Sequence, residues 1–202
     1  MDHINRVYDM SIDFAKGTSA NIEIITLTSL LHDVDDYKIF GDTGDKLPNA
    51  TNIMKKNNVP NDMIEVVLNN INNMGYSKRL KGIIPTSLEG QIVSDADFCD
   101  GMGATGIIRS IEYNIFKGNP FWDRDFFPEI NPSVEKYKES KVPVVNHCFE
   151  KSLKLKDLMF TEAGKKEAIK RHNIMVSFLQ NFFEENRAYD WVKFLNENKK
   201  SL

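Results

Sequence analysis

Long apolar runs are missing from this sequence of 202 residues. None approaches the roughly 20 residues that a membrane-crossing helix requires, so no membrane partner is expected. Cysteine is scarce: Cys99 and Cys148 are the two present, and neither has a CxxC partner. Such a pair rarely builds a secreted scaffold, and both read as buried thiols acting as small hydrophobes in a reducing, cytoplasmic setting. A basic excess is also absent, because 26 Lys and Arg stand against 29 Asp and Glu for a net charge of −3. That balance argues against broad binding to a nucleic-acid polymer, which needs a positive field over the phosphates, while a small charged substrate stays open. The start, MDHINRVYDM, lacks the basic residues and apolar stretch of a secretory signal.

Alternating β-type runs are lacking too, whereas apolar residues recur at helical spacing almost throughout. Hydrophobic residues at 41% and charged residues at 27% are ordinary globular values, and the length suits one domain with one core. The expected fold is an all-α, single-domain helical bundle spanning 1–202. Its first helix runs from about His3 to Lys16, with Val7, Met10 and Phe14 on one stripe and Gly17 as the stop. A second, IEIITLTSLL, follows the capping candidates Thr18 and Ser19 and is apolar enough all round to be central. Further helices are expected at about 48–57, 61–74, 87–101 and 105–116, near Val144, and at 162–186 and 188–198. Between them NNVPND, GYSKRLKGIIP and GMGAT supply the breaks. Residues 117–143 form a Pro-rich, aromatic stretch that is long for a connection and reads as an insertion or a lid. Within it Phe121, Trp122, Phe126 and Phe127 would either stack on a base or make a private core.

Histidine is the next scarcity, with four in the chain. His3 lies four residues before Val7 on the inward stripe, so helix geometry aims it at the core, where a histidine needs a partner. His32 sits in TSLLHDVDDYKIFG beside Asp33, at the end of the apolar second helix. Adjacent helical residues point about 100° apart, so both side chains reach one ion more easily at a helix end than in its middle. In EGQIVSDADFCDGMGATGIIRS, Asp95 and Asp97 lie about 200° apart round the axis and cannot both face one site.

His3, then His32-Asp33, then Asp97 resembles the H…HD…D pattern of the HD-domain superfamily of metal-dependent phosphohydrolases. More narrowly, LLHDVDDYK, SDADFCDGMGATGIIR, NHCFEKSLKLKDLMFTEAGKKEA and RHNIMVSFL are similar to blocks of its small stand-alone bacterial-type branch, in family order from His3 to about Glu184. The resemblance implies an HD-type bundle in which His3, His32, Asp33 and Asp97 coordinate one divalent cation. Imidazoles with carboxylates suit Mn²⁺, Mg²⁺, Fe²⁺, Co²⁺ or Ni²⁺ better than a closed zinc site.

What the resemblance implies for activity is a phosphohydrolase acting on a nucleotide or other small phosphate ester, in some relatives a nucleoside triphosphate pyrophosphohydrolase. Asp33 and Asp36 are then the candidate catalytic carboxylates, Asp36 in water orientation or proton transfer. Lys38 follows in the same block. Lys151, Lys154 and Arg171 are candidates for holding substrate phosphates, the two lysines sharing a helical face by their spacing of three. His147 and His172 read as packed or hydrogen-bonded, and Arg109 as a partner for a nearby carboxylate. The alternative is a nucleotide- or partner-binding helical module that keeps the fold without turnover.

Overall fold

The computed structural model describes residues 2–36, 46–130 and 142–198, and within them every regular element is helical, as the hydrophobic period predicts. The chain divides into two compact units, Met1–Asp97 and Phe98–Leu202.

In the first unit α1 (Asp2–Ala15) buries Val7, Ser11, Phe14 and Ala15 along one stripe and packs on α2 (Ile22–Leu31). The Ser11 hydroxyl, fully buried, donates to the Val7 carbonyl one turn back at 2.7 Å, so its polarity costs the stripe nothing. The cap of α2 differs from the expected Thr18 or Ser19. Asn21 holds that position, and its side-chain oxygen accepts from the N–H groups of Glu23 and Ile24 at 2.9 and 3.3 Å. Thr18 instead donates its hydroxyl to the Ala15 carbonyl, finishing α1. Two more residues of turn are therefore needed before the backbone of α2 can start.

Behind α2 stand α3 (Pro48–Lys56) and α4 (Asn61–Asn72), whose Ala50, Met54, Ile64, Val67 and Ile71 form a buried cluster with Leu31 and Leu47. A short α5 (Tyr76–Arg79) lies in the segment expected to be only a break. The last helix to begin in this unit is α6 (Leu88–Asp100), most of which, to Asp97, belongs to it. Its start is tied to α4: the Ser87 hydroxyl donates to Asn70 Oδ1 at 2.7 Å and accepts the Gly90 N–H at 2.9 Å. A Cβ at Gly90 would lie 2.7 Å from Asn70 Oδ1, so this close approach requires glycine.

The second unit packs α7 (Gly103–Phe116) on α9 (Glu162–Glu185), which also meets a 3₁₀ helix (Ser152–Leu158) and α10 (Tyr189–Asn198). A shorter helix, α8 (Val144–Glu150), meets the 3₁₀ helix and α7. An aromatic core joins Phe149, Phe183 and the fully buried Trp191. The aromatics of the Pro-rich stretch contribute to it. Phe121 and Trp122 meet Phe182 edge-on, and Phe127 stacks on Trp191 at 4.4 Å. Trp191 Nε1–H donates to the Arg124 carbonyl at 2.9 Å, fixing the strap to α10. Phe126 is 47% exposed. Residues 131–141 of the expected insertion, and Lys38, lie outside the described residues.

Candidate metal centre

His32 is the first residue after α2, with φ −62° and ψ −28°, and a turn through Asp35 follows. Its Nδ1 faces the Ser29 carbonyl at 2.8 Å. A carbonyl only accepts, so Nδ1 carries the hydrogen and the neutral ring presents its lone pair at Nε2. That lone pair points at a gathering of donors. His3 Nε2, from the first turn of α1, lies 3.3 Å away, with the two rings edge-on at 75°. Asp33 Oδ2 lies 3.4 Å from His3 Nε2 and 3.7 Å from His32 Nε2. Asp97 Oδ1, from α6, lies 3.5 and 3.9 Å from the same two nitrogens.

Side chains from two helices, α1 and α6, and from the turn after α2 thus lie near one another. A backbone carbonyl on the far ring nitrogen is the usual outer support of a metal-bound histidine, and His32 has it. Bonds of about 2.1 Å place neighbouring donors about 3.0 Å apart in an octahedron and about 3.4 Å apart in a tetrahedron. The observed separations of 3.3 to 3.9 Å are those of a site that a cation would draw in slightly. Ligand atoms of His3, His32 and Asp97 all lie within 4.8 Å of one another. These three therefore fit one divalent cation, with Asp33 beside the two imidazoles. Exposure is graded across the group, from 5% for the His32 side chain to 40% for Asp33, so Asp33 marks its solvent side.

Asp95 behaves as the helical angle predicts. It is fully buried, is not among the grouped ligand atoms, and attracts the guanidinium of Arg79, whose pKa burial lowers. Asp36 ends the turn, its N–H donating to the Asp33 carbonyl at 3.1 Å. Asp35, which no motif in the sequence singles out, is 7% exposed and accepts two backbone N–H groups from the start of α3. Its partners are 14 and 15 residues away, beyond any local capping signal.

The three candidate phosphate ligands belong to the second unit. Lys151 and Lys154 do not share an α-helical face: Lys151 ends α8 with φ −134°, and Lys154 stands in the 3₁₀ helix. Their link is a tight turn, the Lys154 N–H donating to the Lys151 carbonyl at 2.9 Å. Burial lowers the Lys154 pKa, and the nearby carboxylate of Glu150 opposes that shift. Arg171 has two donors committed, Nε–H to Glu167 Oε1 at 2.6 Å and Nη1–H to the Cys99 carbonyl at 2.9 Å. His172 is buried and donates Nδ1–H to the Leu153 carbonyl, and Arg109 pairs with the buried Asp100, both as expected.

The chain as a whole is similar to several known proteins. No family model matches the chain. A Lactobacillus plantarum protein of known crystal structure is 32% identical, with 93% of this chain and 87% of that one covered and a TM-score of 0.81. A Bacillus thuringiensis crystal structure described as an HD-superfamily hydrolase is 34% identical, covering 93% and 86% of the two chains with a TM-score of 0.70. Bacillus subtilis YpgQ is 27% identical over 179 residues, 88% of this chain and 80% of YpgQ. One crystal structure holds YpgQ in complex with ADP, with a TM-score of 0.67 to this chain over 91% of it and 84% of YpgQ.

Proposed function

This chain belongs to the HD superfamily of hydrolases, and from that membership we propose that it is a metal-dependent phosphohydrolase acting on a nucleotide. His3, His32, Asp33 and Asp97 would hold one divalent cation. The observation that carries the reading is that the two imidazole nitrogens lie 3.3 Å from each other and 3.4 to 3.9 Å from one oxygen of each of two carboxylates. The nucleotide class is supported by the ADP complex of YpgQ. Cleavage of a triphosphate to monophosphate and pyrophosphate is the finer form of the proposal.

When bound, such a cation supplies Lewis acidity and neutralises charge on a phosphoryl group. The chain's own residues do the rest. The Ser29 carbonyl holds His32 in the tautomer that offers Nε2. Asp33 is the more exposed of the two carboxylates, and Asp36, three residues on, is proposed to orient water or accept its proton. Lys151, Lys154 and Arg171 are proposed to hold phosphate oxygens, on the ground that ammonium and guanidinium groups match spread phosphoryl charge.

The test is a panel of nucleoside mono-, di- and triphosphates with Mn²⁺, Mg²⁺, Co²⁺ or Ni²⁺, read by release of phosphate and pyrophosphate. Hydrolysis that falls about a hundredfold or more in folded His32→Ala and Asp97→Ala proteins supports the enzyme. Nucleotide-induced thermal stabilisation with no product under any of the four metals would replace it with a binding module.

A further inference from the structure

Helix α3 begins in a way its own sequence does not explain. Its cap residue is Leu47, which has no side-chain acceptor and adopts the left-handed conformation, φ 43° and ψ 61°. Pro48, at the first helical position, has no N–H. The first backbone donors needing partners are therefore those of Asn49 and Ala50, and Ala50 is fully buried. Both are taken by one carboxylate: Asp35 Oδ1 accepts from Asn49 N–H at 3.1 Å and Oδ2 from Ala50 N–H at 2.9 Å. Only at Thr51 does the ordinary helical bond to the Leu47 carbonyl begin, at 3.0 Å. A third bond runs the other way, Asn49 Nδ2–H donating to the Val34 carbonyl at 3.1 Å.

A carboxylate on two helix N-terminal amides makes charge-assisted bonds along the favourable direction of the helix dipole. Here that carboxylate lies two residues after Asp33 and three after His32, in the same turn. The left-handed Leu47 is held by its place in the buried cluster with Leu31, the last residue of α2. The turn is thus fastened at one end by α2 and at the other by α3. We propose that Asp35, assisted by Asn49, is a positioning residue of the metal centre, locking the turn that presents His32 and Asp33 onto the start of α3. This rests on the reading that those two residues hold a cation.

The test uses the full-length protein and Mn²⁺ alone, titrated calorimetrically into metal-free protein. Asp35→Ala should weaken Mn²⁺ binding about ten- to a hundredfold, the loss typical when the outer support of a ligand goes. Asp35→Asn, whose single amide oxygen replaces two carboxylate acceptors, should fall between Asp35→Ala and wild type. In metal-free Asp35→Ala, amide exchange should quicken at Asn49 and Ala50. Thr161→Ala is the matched control, because it removes the cap of α9, whose Thr161 hydroxyl accepts the Gly164 N–H at 3.0 Å. It should lower the melting temperature while leaving Mn²⁺ affinity unchanged. Wild-type affinity in folded Asp35→Ala overturns the inference and leaves the metal centre standing. Failure of the wild type to bind Mn²⁺, and likewise Mg²⁺, Co²⁺ and Ni²⁺ in the same titration, overturns both. If Asp35→Ala does not fold, Asp35→Asn and Asn49→Ala decide, and wild-type affinity in both overturns it.

Discussion

Single side chains in this protein often serve through their backbone partners. His172 illustrates the point in the second unit, where its ring donates to the Leu153 carbonyl inside the core. Burial is the main reason its pKa lies below the ordinary 6.5, and the charge of Lys156 adds to the shift. A histidine kept neutral by the fold gives full stability above the unfolded value, and that stability is lost as pH falls from about 6.5 through the lower folded pKa. The metal-free protein should accordingly melt lower as it is acidified below pH ~6.5. In His172→Gln, thermal unfolding across the same range should show a shallower acid dependence.

Elements here are started and stopped by contacts of different reach, and the outcome of substitution should follow that reach. Asn21→Ala removes two bonds to the first turn of α2 and should cost about 1 kcal/mol in urea unfolding. Ser19→Ala, at an exposed position that the cap does not use, should stay within about 0.5 kcal/mol. Local pattern sets the start of α2 after Thr18 and Ser19, but not which polar residue caps it, since Asn21 has the same capping chemistry. Gly90→Ala tests a contact between elements. The new Cβ would press on Asn70 Oδ1 and on Pro85 Cβ at 3.0 Å, and a loss of about 1–3 kcal/mol is expected by the same measurement. The 3₁₀ helix at Ser152–Leu158 escaped the sequence reading because its period differs from the α period only over a few residues.

On the scale of the whole chain, ligand and core report separately. Saturating Mn²⁺ should raise the melting temperature of the wild type and not of Asp97→Ala, because a ligand that binds only the folded state stabilises it by mass action. Trp191→Ala, which empties the centre of the aromatic core, should cost about 3–5 kcal/mol in equilibrium unfolding. Of the two roles open to the aromatics of the Pro-rich stretch, Phe121, Trp122 and Phe127 take up packing against α9 and α10. Trp191 itself carried no functional signal in the sequence, where it is one aromatic among many on a helical stripe.

The sequence by itself determined the all-helical class and most helix positions, because helical period and the angle between neighbours are local properties of the chain, while His3, His32, Asp33 and Asp97 stand out as candidate ligands only through the resemblance of their pattern to a family. Even the separation of Asp95 from Asp97 follows from about 100° of rotation per residue. Only the tertiary structure decided that the imidazoles of residues 29 apart meet at 3.3 Å, and that Asp35 reaches 14 residues ahead to begin another helix. Those contacts depend on how helices pack in space, which the shape of the buried side chains sets jointly and no short stretch encodes.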